Sequence, residues 1–277
     1  AMDRYASQYQ ALEVALEHRF YGSSQPFPAT NGGLSTDNLN YLSAQQALAD
    51  AADFIVWIKE QYNATDSQIV TFGCSYSGAL AAFFRTKYPH ITLASVASSA
   101  PVQAVVDFYQ YLNVVDQSLS YFVGRKCDER IAAATQQIQT LLKSGPAGQQ
   151  QIKDKFKVCK PFAGQNDIAT FMSNLMGNWQ GLVQYNLEGA GPTVTDMCNK
   201  LTSNPGSDLQ AYADVSNFFL ALNGETCNDA SYTGMVAELT NNNEFQSGMR
   251  QWIYQTCTEF GYFQTTDSDD DVQPFGD

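Results

Sequence analysis

The stretch Gln68–Gly78, reading Q-I-V-T-F-G-C-S-Y-S-G, constrains the fold of this chain more than any other. Ile69, Val70, Thr71 and Phe72 are apolar or β-branched and predict a short buried strand. Gly73 to Ser77 then turn sharply, and the Ala-rich run from Gly78 to Phe84 opens a helix. Small residues bracket Ser75: Gly73 precedes it by two positions, and Ser77 and Gly78 follow it. A nucleophile elbow requires this pattern, because strand and helix nearly touch at a strained turn. Such a turn lifts the Ser75 hydroxyl above the strand ends and aims the Tyr76 backbone N–H at the place where an oxyanion would form. Ser75 is therefore the candidate nucleophile and Tyr76 N–H the candidate oxyanion donor.

The rest of the first hundred residues supports a parallel sheet. Met2–Tyr9 reads as a short helix and Ala11–Leu16 as a strand ending in Glu17-His-Arg-Phe-Tyr-Gly22. Pro26, Pro28, Gly32 and Gly33 make a loop. Ser43 with Gln46 forms a capping-box start, followed by an apolar helical face at Ala47, Leu48, Ala51, Ile55, Ile58 and Tyr62. Ile91–Ala97 predicts a third strand. Strands alternating with helical crossovers give an α/β fold with ligands at the carboxyl ends of the strands, where Ser75 lies. After Val105 the period becomes helical and stays so to about residue 250, so the expected division is a partial core at 1–107, a helical insertion at 108–248 and a return to the core at 249–277.

Composition narrows the function. A chain of 277 residues with 44% hydrophobic content buries a sizeable core. Its net charge of −13 has the wrong sign for nucleic acid or anionic membranes, and no apolar run approaches a membrane span. Six cysteines with no C-x-x-C pair, beside only two histidines, argue against a metal site and for disulfides in an oxidising compartment. No cofactor motif is present. Asn63-Ala-Thr65 is the single glycosylation sequon. Asp267 and Asp269–Asp271 form an acidic run expected to be solvated. Of the histidines, His90 is separated from Ser75 by a post-elbow helix of about thirteen residues, roughly 20 Å long. His18 falls at the catalytic edge, and the reading preferred for it is a polar network bracing its loop.

Glu17-His-Arg-Phe-Tyr-Gly22, Gly73-Cys-Ser-Tyr-Ser-Gly78, Lys87-Tyr-Pro-His90, Ala97-Ser-Ser-Ala-Pro101 and Tyr254-Gln-Thr-Cys-Thr-Glu-Phe-Gly261 occur in that order. Together they resemble the lysosomal Pro-Xaa carboxypeptidase family of serine peptidases, which includes dipeptidyl peptidase II and thymus-specific serine protease. Leu34–Leu39 and Gln46–Asp50 are most similar to the thymus-specific branch. The resemblance implies an α/β-hydrolase core with an inserted helical cap over Ser75, a Ser-Asp-His triad, peptide substrates cut next to proline or a small residue, and a secreted or lysosomal site of action. It implies that Glu259 faces the substrate region, where His18 is a second candidate, and that Cys127 pairs with Cys198 and Cys159 with Cys227. A Cys74–Cys257 bridge stays open, as does the alternative of Cys74 as a buried thiol filling the elbow. Cys74 departs from the family, which usually has glycine there. In the family the triad Asp and His follow the Tyr254–Gly261 region, so this chain is expected to be an internal section and, alone, a poor hydrolase. An esterase or lipase on the same fold and a binding protein that has lost the chemistry are the rival readings. The exact substrate and the oligomeric state, homodimer included, stay open.

Overall fold

The computed structural model describes residues 2–268 and 274–276; Asp269–Asp271 of the acidic run lie outside the described residues, and Asp267 is exposed. The chain forms two compact units. One comprises the residues up to Val106 together with Ala237–Tyr262, and the other Asp107–Val236 together with the residues from Phe263 on.

In the first unit, α1 (Met2–Tyr9) and α2 (Thr36–Leu39) precede a long α3 (Ala44–Gln61). Then β1 (Val70–Cys74) leads through α4 (Tyr76–Lys87) to β2 (Ala94–Ser98). β1 and β2 pair in parallel, Phe72 beside Val96 and Cys74 beside Ser98, and α4 supplies the crossover that parallel pairing requires. Leu48, Ala52 and Ile55 of α3 pack on Phe84 of α4, with Ile69, Leu80 and Ile91 at the margin. This seam fixes the helix that follows Ser75.

Three expectations about this unit are corrected. Ala11–Leu16 is not a strand: it runs without ladder partners, with Leu12, Val14 and Leu16 exposed. Alternating side chains are necessary for a strand, but a neighbouring strand makes it one. Ile91 and Thr92 turn before β2, which begins only at Ala94. The capping box at α3 is half made. Ser43 accepts from Gln46 N–H, but the Gln46 side chain accepts from Arg19 instead of reaching back.

The second unit is helical: α5 (Gln110–Val123), α6 (Lys126–Lys143), α7 (Pro146–Lys155), α8 (Gln165–Gln184), α9 (Val194–Thr202) and α10 (Asp208–Leu222), with α11 (Tyr232–Leu239) starting inside it. Trp179 and Phe171 of α8, Phe156 after α7, and Tyr212 and Phe219 of α10 form its aromatic centre. Cys127–Cys198 ties α6 to α9, and Cys159–Cys227 ties the end of α7 to the loop after α10. Arg130 pairs with Asp208 and also donates to the carbonyls of Leu201, Asn204 and Gly206, closing the end of α9.

After α11 come α12 (Met249–Gln255), a π-helical turn at Thr256–Phe260 and β4 (Gly261–Phe263), which pairs with β3 (Val105–Asp107). No helix among the described residues is long and apolar enough to cross a membrane.

Candidate active site

Ser75 joins β1 to α4 with φ 58° and ψ −129°, a conformation that side chains other than glycine's rarely adopt. Its N–H donates to Ser98 O at 3.0 Å, tying the turn to the end of β2. The approach of strand and helix is so close that a Cβ on Gly73 would lie 2.0 Å from Ser77 O, and one on Gly78 2.6 Å from Ser98 O. Both glycines are required by contact. Ser77 is more than small: its hydroxyl accepts from Cys74 N–H at 3.0 Å and donates to Cys74 O at 2.7 Å, stapling the turn across itself. Ser75 is exposed at the strand end. Tyr76 is the first residue of α4, so its N–H has no acceptor within the helix and is free to bind an anion beside Ser75.

The Glu17-His18-Arg19 stretch splits into three tasks. Glu17 accepts from Ser23 N–H and closes the loop around Gly22. Arg19 grips Asp50 of α3 through two hydrogen bonds and also donates to Tyr41 O and Gln46. His18 Nδ1 lies 2.7 Å from Arg19 O, which can only accept, so the proton sits on Nδ1 and Nε2 is an acceptor. Nε2 lies 3.2 Å from the Tyr76 hydroxyl. Burial lowers the His18 pKa and keeps the ring neutral.

The segment around α12 and its π-turn supplies the other wall. Gln255 is fully buried; its Nε2–H donates to the Tyr76 hydroxyl at 2.9 Å, and its Oε1 accepts from the Tyr21 hydroxyl at 2.7 Å. Trp252 and Phe260 pack on the Tyr76 ring, centroids 5.8 and 5.2 Å away. Burial raises the pKa of both Tyr76 and Tyr21, so both stay protonated. Glu259 places both carboxylate oxygens 3.0 Å from Ala44 N, capping the first N–H of α3.

The structure thus brings Ser75, Tyr76, His18, Tyr21 and Gln255 into one neighbourhood. His18 faces the Tyr76 hydroxyl and not Ser75, and the Glu259 carboxylate is engaged at a helix end. His90 is exposed in the turn after α4, beside Tyr88. Asn63 is exposed in the turn after α3. The open Cys74–Cys257 bridge is absent: both are free, exposed thiols, Cys74 closing the elbow strand and Cys257 on the outer side of the π-turn. That exposure also corrects the reading of Cys74 as a buried thiol. Sequence reasoning missed Gln255, whose partners lie far along the chain, and the Ser77 staple. A serine two positions after Ser75 is the one local signal that could have revealed the latter.

An α/β unit with a serine held in this strained strand-to-helix turn has the geometry of a nucleophile-elbow hydrolase. Residues 1–277 match the family described as Serine carboxypeptidase S28, and the chain belongs to that family of serine peptidases. It is 36% identical to human thymus-specific serine protease over 95% of this chain and 53% of that protein. Identity to the mouse thymus-specific serine protease is 37% over 94% of this chain and 53% of that protein. With the lysosomal Pro-X carboxypeptidase of Bos taurus it is 31%, over 96% of this chain and 54% of that protein. The chain spans about half the length of the curated relatives it matches.

Proposed function

We propose that this chain carries the nucleophile of a serine exopeptidase that cuts short peptides next to proline or a small residue. The single observation carrying this reading is Ser75: a serine exposed at φ 58°, stapled by its neighbours and followed by a helix-start N–H. Ser75 Oγ attacks the scissile carbonyl, the proton passes to a histidine oriented by an aspartate, and Tyr76 N–H receives the charge that develops on oxygen. We assign that histidine and aspartate to sequence outside these residues, because His18 is engaged at both ring nitrogens and His90 stands apart. The preference for proline is carried over from the relatives named for Pro-X cleavage. The helical unit is given the role of the inserted cap that the family resemblance implies. A secreted or lysosomal site of action is supported by the two disulfides.

The test uses the protein expressed from its complete natural sequence. A fluorophosphonate probe should label Ser75 and lose its target in Ser75→Ala, and short peptides containing proline should be cleaved in preference to matched peptides without it. Turnover of simple esters with no proline preference would identify an esterase. Absence of labelling would leave the binding-protein reading.

A further inference from the structure

We infer that His18 and Gln255 are positioning residues of the oxyanion site, acting through the Tyr76 side chain. The inference rests on the reading of Ser75 as nucleophile, and takes it further by naming what holds its partner donor in place.

The donor is the N–H of the peptide linking Ser75 to Tyr76, which as the first residue of α4 has no carbonyl of its own helix to meet it. Upstream, Ser75 N is tied to Ser98 O at 3.0 Å. Within the donor's own peptide plane, Ser75 O accepts from Ala79 N–H at 3.0 Å, the first bond of α4, which secures the plane at its carbonyl end. Ser75 itself is held at φ 58° and ψ −129°, a strained conformation that its surroundings must maintain. The Tyr76 side chain adds a second hold, on the N–H side of that plane. Its ring is enclosed by His18, Trp252 and Phe260 at centroid distances of 5.6, 5.8 and 5.2 Å. Its hydroxyl is caught between two groups that demand opposite roles. Gln255 Nε2 can only donate, so the hydroxyl oxygen accepts there, and His18 Nε2 is left an acceptor, so the hydroxyl hydrogen points there.

The relay is therefore directional from end to end: Tyr21 hydroxyl to Gln255 Oε1, Gln255 Nε2–H to Tyr76, Tyr76 hydroxyl to His18 Nε2, and His18 Nδ1–H to Arg19 O. Each acceptor named is met by one donor. Gln255 is fully buried, where an amide lacking partners is strongly unfavourable, so its orientation is fixed by the two tyrosines it joins. Arg19, bonded to Asp50, anchors the far end to α3. A side chain pinned at ring and tip fixes its own Cα, and with it the direction of the N–H attached to it.

Losing an oxyanion donor lowers turnover about 10²–10³-fold. Loosening the donor should do less, so about a tenfold fall in kcat is expected. The protein expressed from its complete natural sequence serves for the measurement, with Pro-containing short peptides for kcat and KM and fluorophosphonate labelling of Ser75 as a second readout. Tyr76→Phe, which keeps ring and backbone N–H, should lower kcat and the labelling rate about tenfold with KM unchanged. His18→Phe should do the same, and His18→Gln should recover most of the loss because its amide oxygen still accepts from the tyrosine. The double variant Tyr76→Phe/His18→Phe should be no worse than either single, since both remove one interaction.

Unchanged kcat in folded Tyr76→Phe overturns the inference, as does a fully additive double variant or a loss confined to KM. Should Tyr76→Phe fail to fold, the contrast between His18→Phe and His18→Gln decides, and equal activity in those two overturns it. Labelling of Ser75 that is insensitive to all these variants removes this inference and leaves the proposed function standing. No labelling in the unaltered protein removes both.

Discussion

The two units of this chain are stabilised by different means. The helical unit has one continuous apolar core, built on Trp179, Phe171, Phe156, Tyr212 and Phe219, and two disulfides across it. The unit bearing Ser75 has two small apolar clusters, one around Phe20, Leu34, Leu39 and Leu42 and the other around Leu48, Ala52, Ile55 and Phe84. Between them stand named polar contacts: Arg19 on Asp50, Glu259 on Ala44, Gln255 on Tyr76, Gln251 on Phe20 O. Apolar packing is non-directional and tolerates small shifts, whereas a hydrogen bond is satisfied only at one distance and angle. A scaffold can rely on the first. A turn with the role proposed for Ser75 and Tyr76, aiming a hydroxyl and an N–H, needs the second.

The largest expected effect that bears on this contrast is loss of a disulfide. Replacing Cys127 and Cys198 with alanine reopens a loop with a sequence separation of 71. It should destabilise the helical unit by about 4 kcal/mol in the chain-entropy account. Native-state hydrogen exchange should report the loss in α6 and α10 while amides of α4 keep their protection. An equal loss in α4 would show that the two units unfold as one body and would dissolve the contrast.

A smaller effect is expected at Arg19, whose side chain is 17% exposed against 39% for Asp50. Because Asp50 still meets water, Arg19→Met should cost only about 1–2 kcal/mol, most of it from carbonyl and carboxylate groups left without a donor. Urea unfolding followed by exchange should place the loss in α3 and the elbow. A loss of the same size in α8 would mean that the polar contacts support more than their own unit.

The smallest effect is a pH dependence. The charged and titratable groups facing His18 are Arg19, whose charge disfavours imidazolium, Asp50, whose charge favours it, and the hydroxyls of Tyr21 and Tyr76. Burial is the largest influence and lowers the folded pKa below the ordinary 6.5. Above that value neither state binds the proton and His18 contributes no pH dependence. As pH falls through it the unfolded chain takes up a proton first, so stability declines until the lowered folded pKa is reached. Thermal unfolding between pH 7.5 and 5 should therefore fall less steeply for His18→Gln than for the unaltered chain. Parallel curves would mean that folding leaves the His18 pKa unchanged, and a steeper fall for His18→Gln would mean that the folded ring holds its proton, making the direction assigned to the relay wrong.

What was legible in the sequence follows the same division. The elbow could be read because its determinants lie within six residues, Gly73 to Gly78, and each acts on its neighbours. The Ser43 cap and the helical periods of α5–α10 are local in the same sense. The relay could not be read. Tyr76 is 58 residues from His18 and 179 from Gln255, and Glu259 is 215 from the N–H it caps. No spacing rule reaches so far, and nothing in Gln255 itself distinguishes it from a solvated amide. Ala11–Leu16 failed for a related reason: its alternation is visible, but the partner that would make it a strand is not a property of the segment.

The backbone at Ser75 gives a consequence of another kind. With φ 58° and ψ −129° the residue sits where glycine is at ease and any Cβ is resisted. Ser75→Gly is thus the rare substitution expected to strengthen a fold by removing a side chain, provided the hydroxyl has no other use. A chain drifting without demand for chemistry would move toward glycine at this position, because thermodynamics favours that replacement. The turn alone does not require a hydroxyl, so a Ser75→Gly variant separates what the backbone needs at this position from what the proposed chemistry needs.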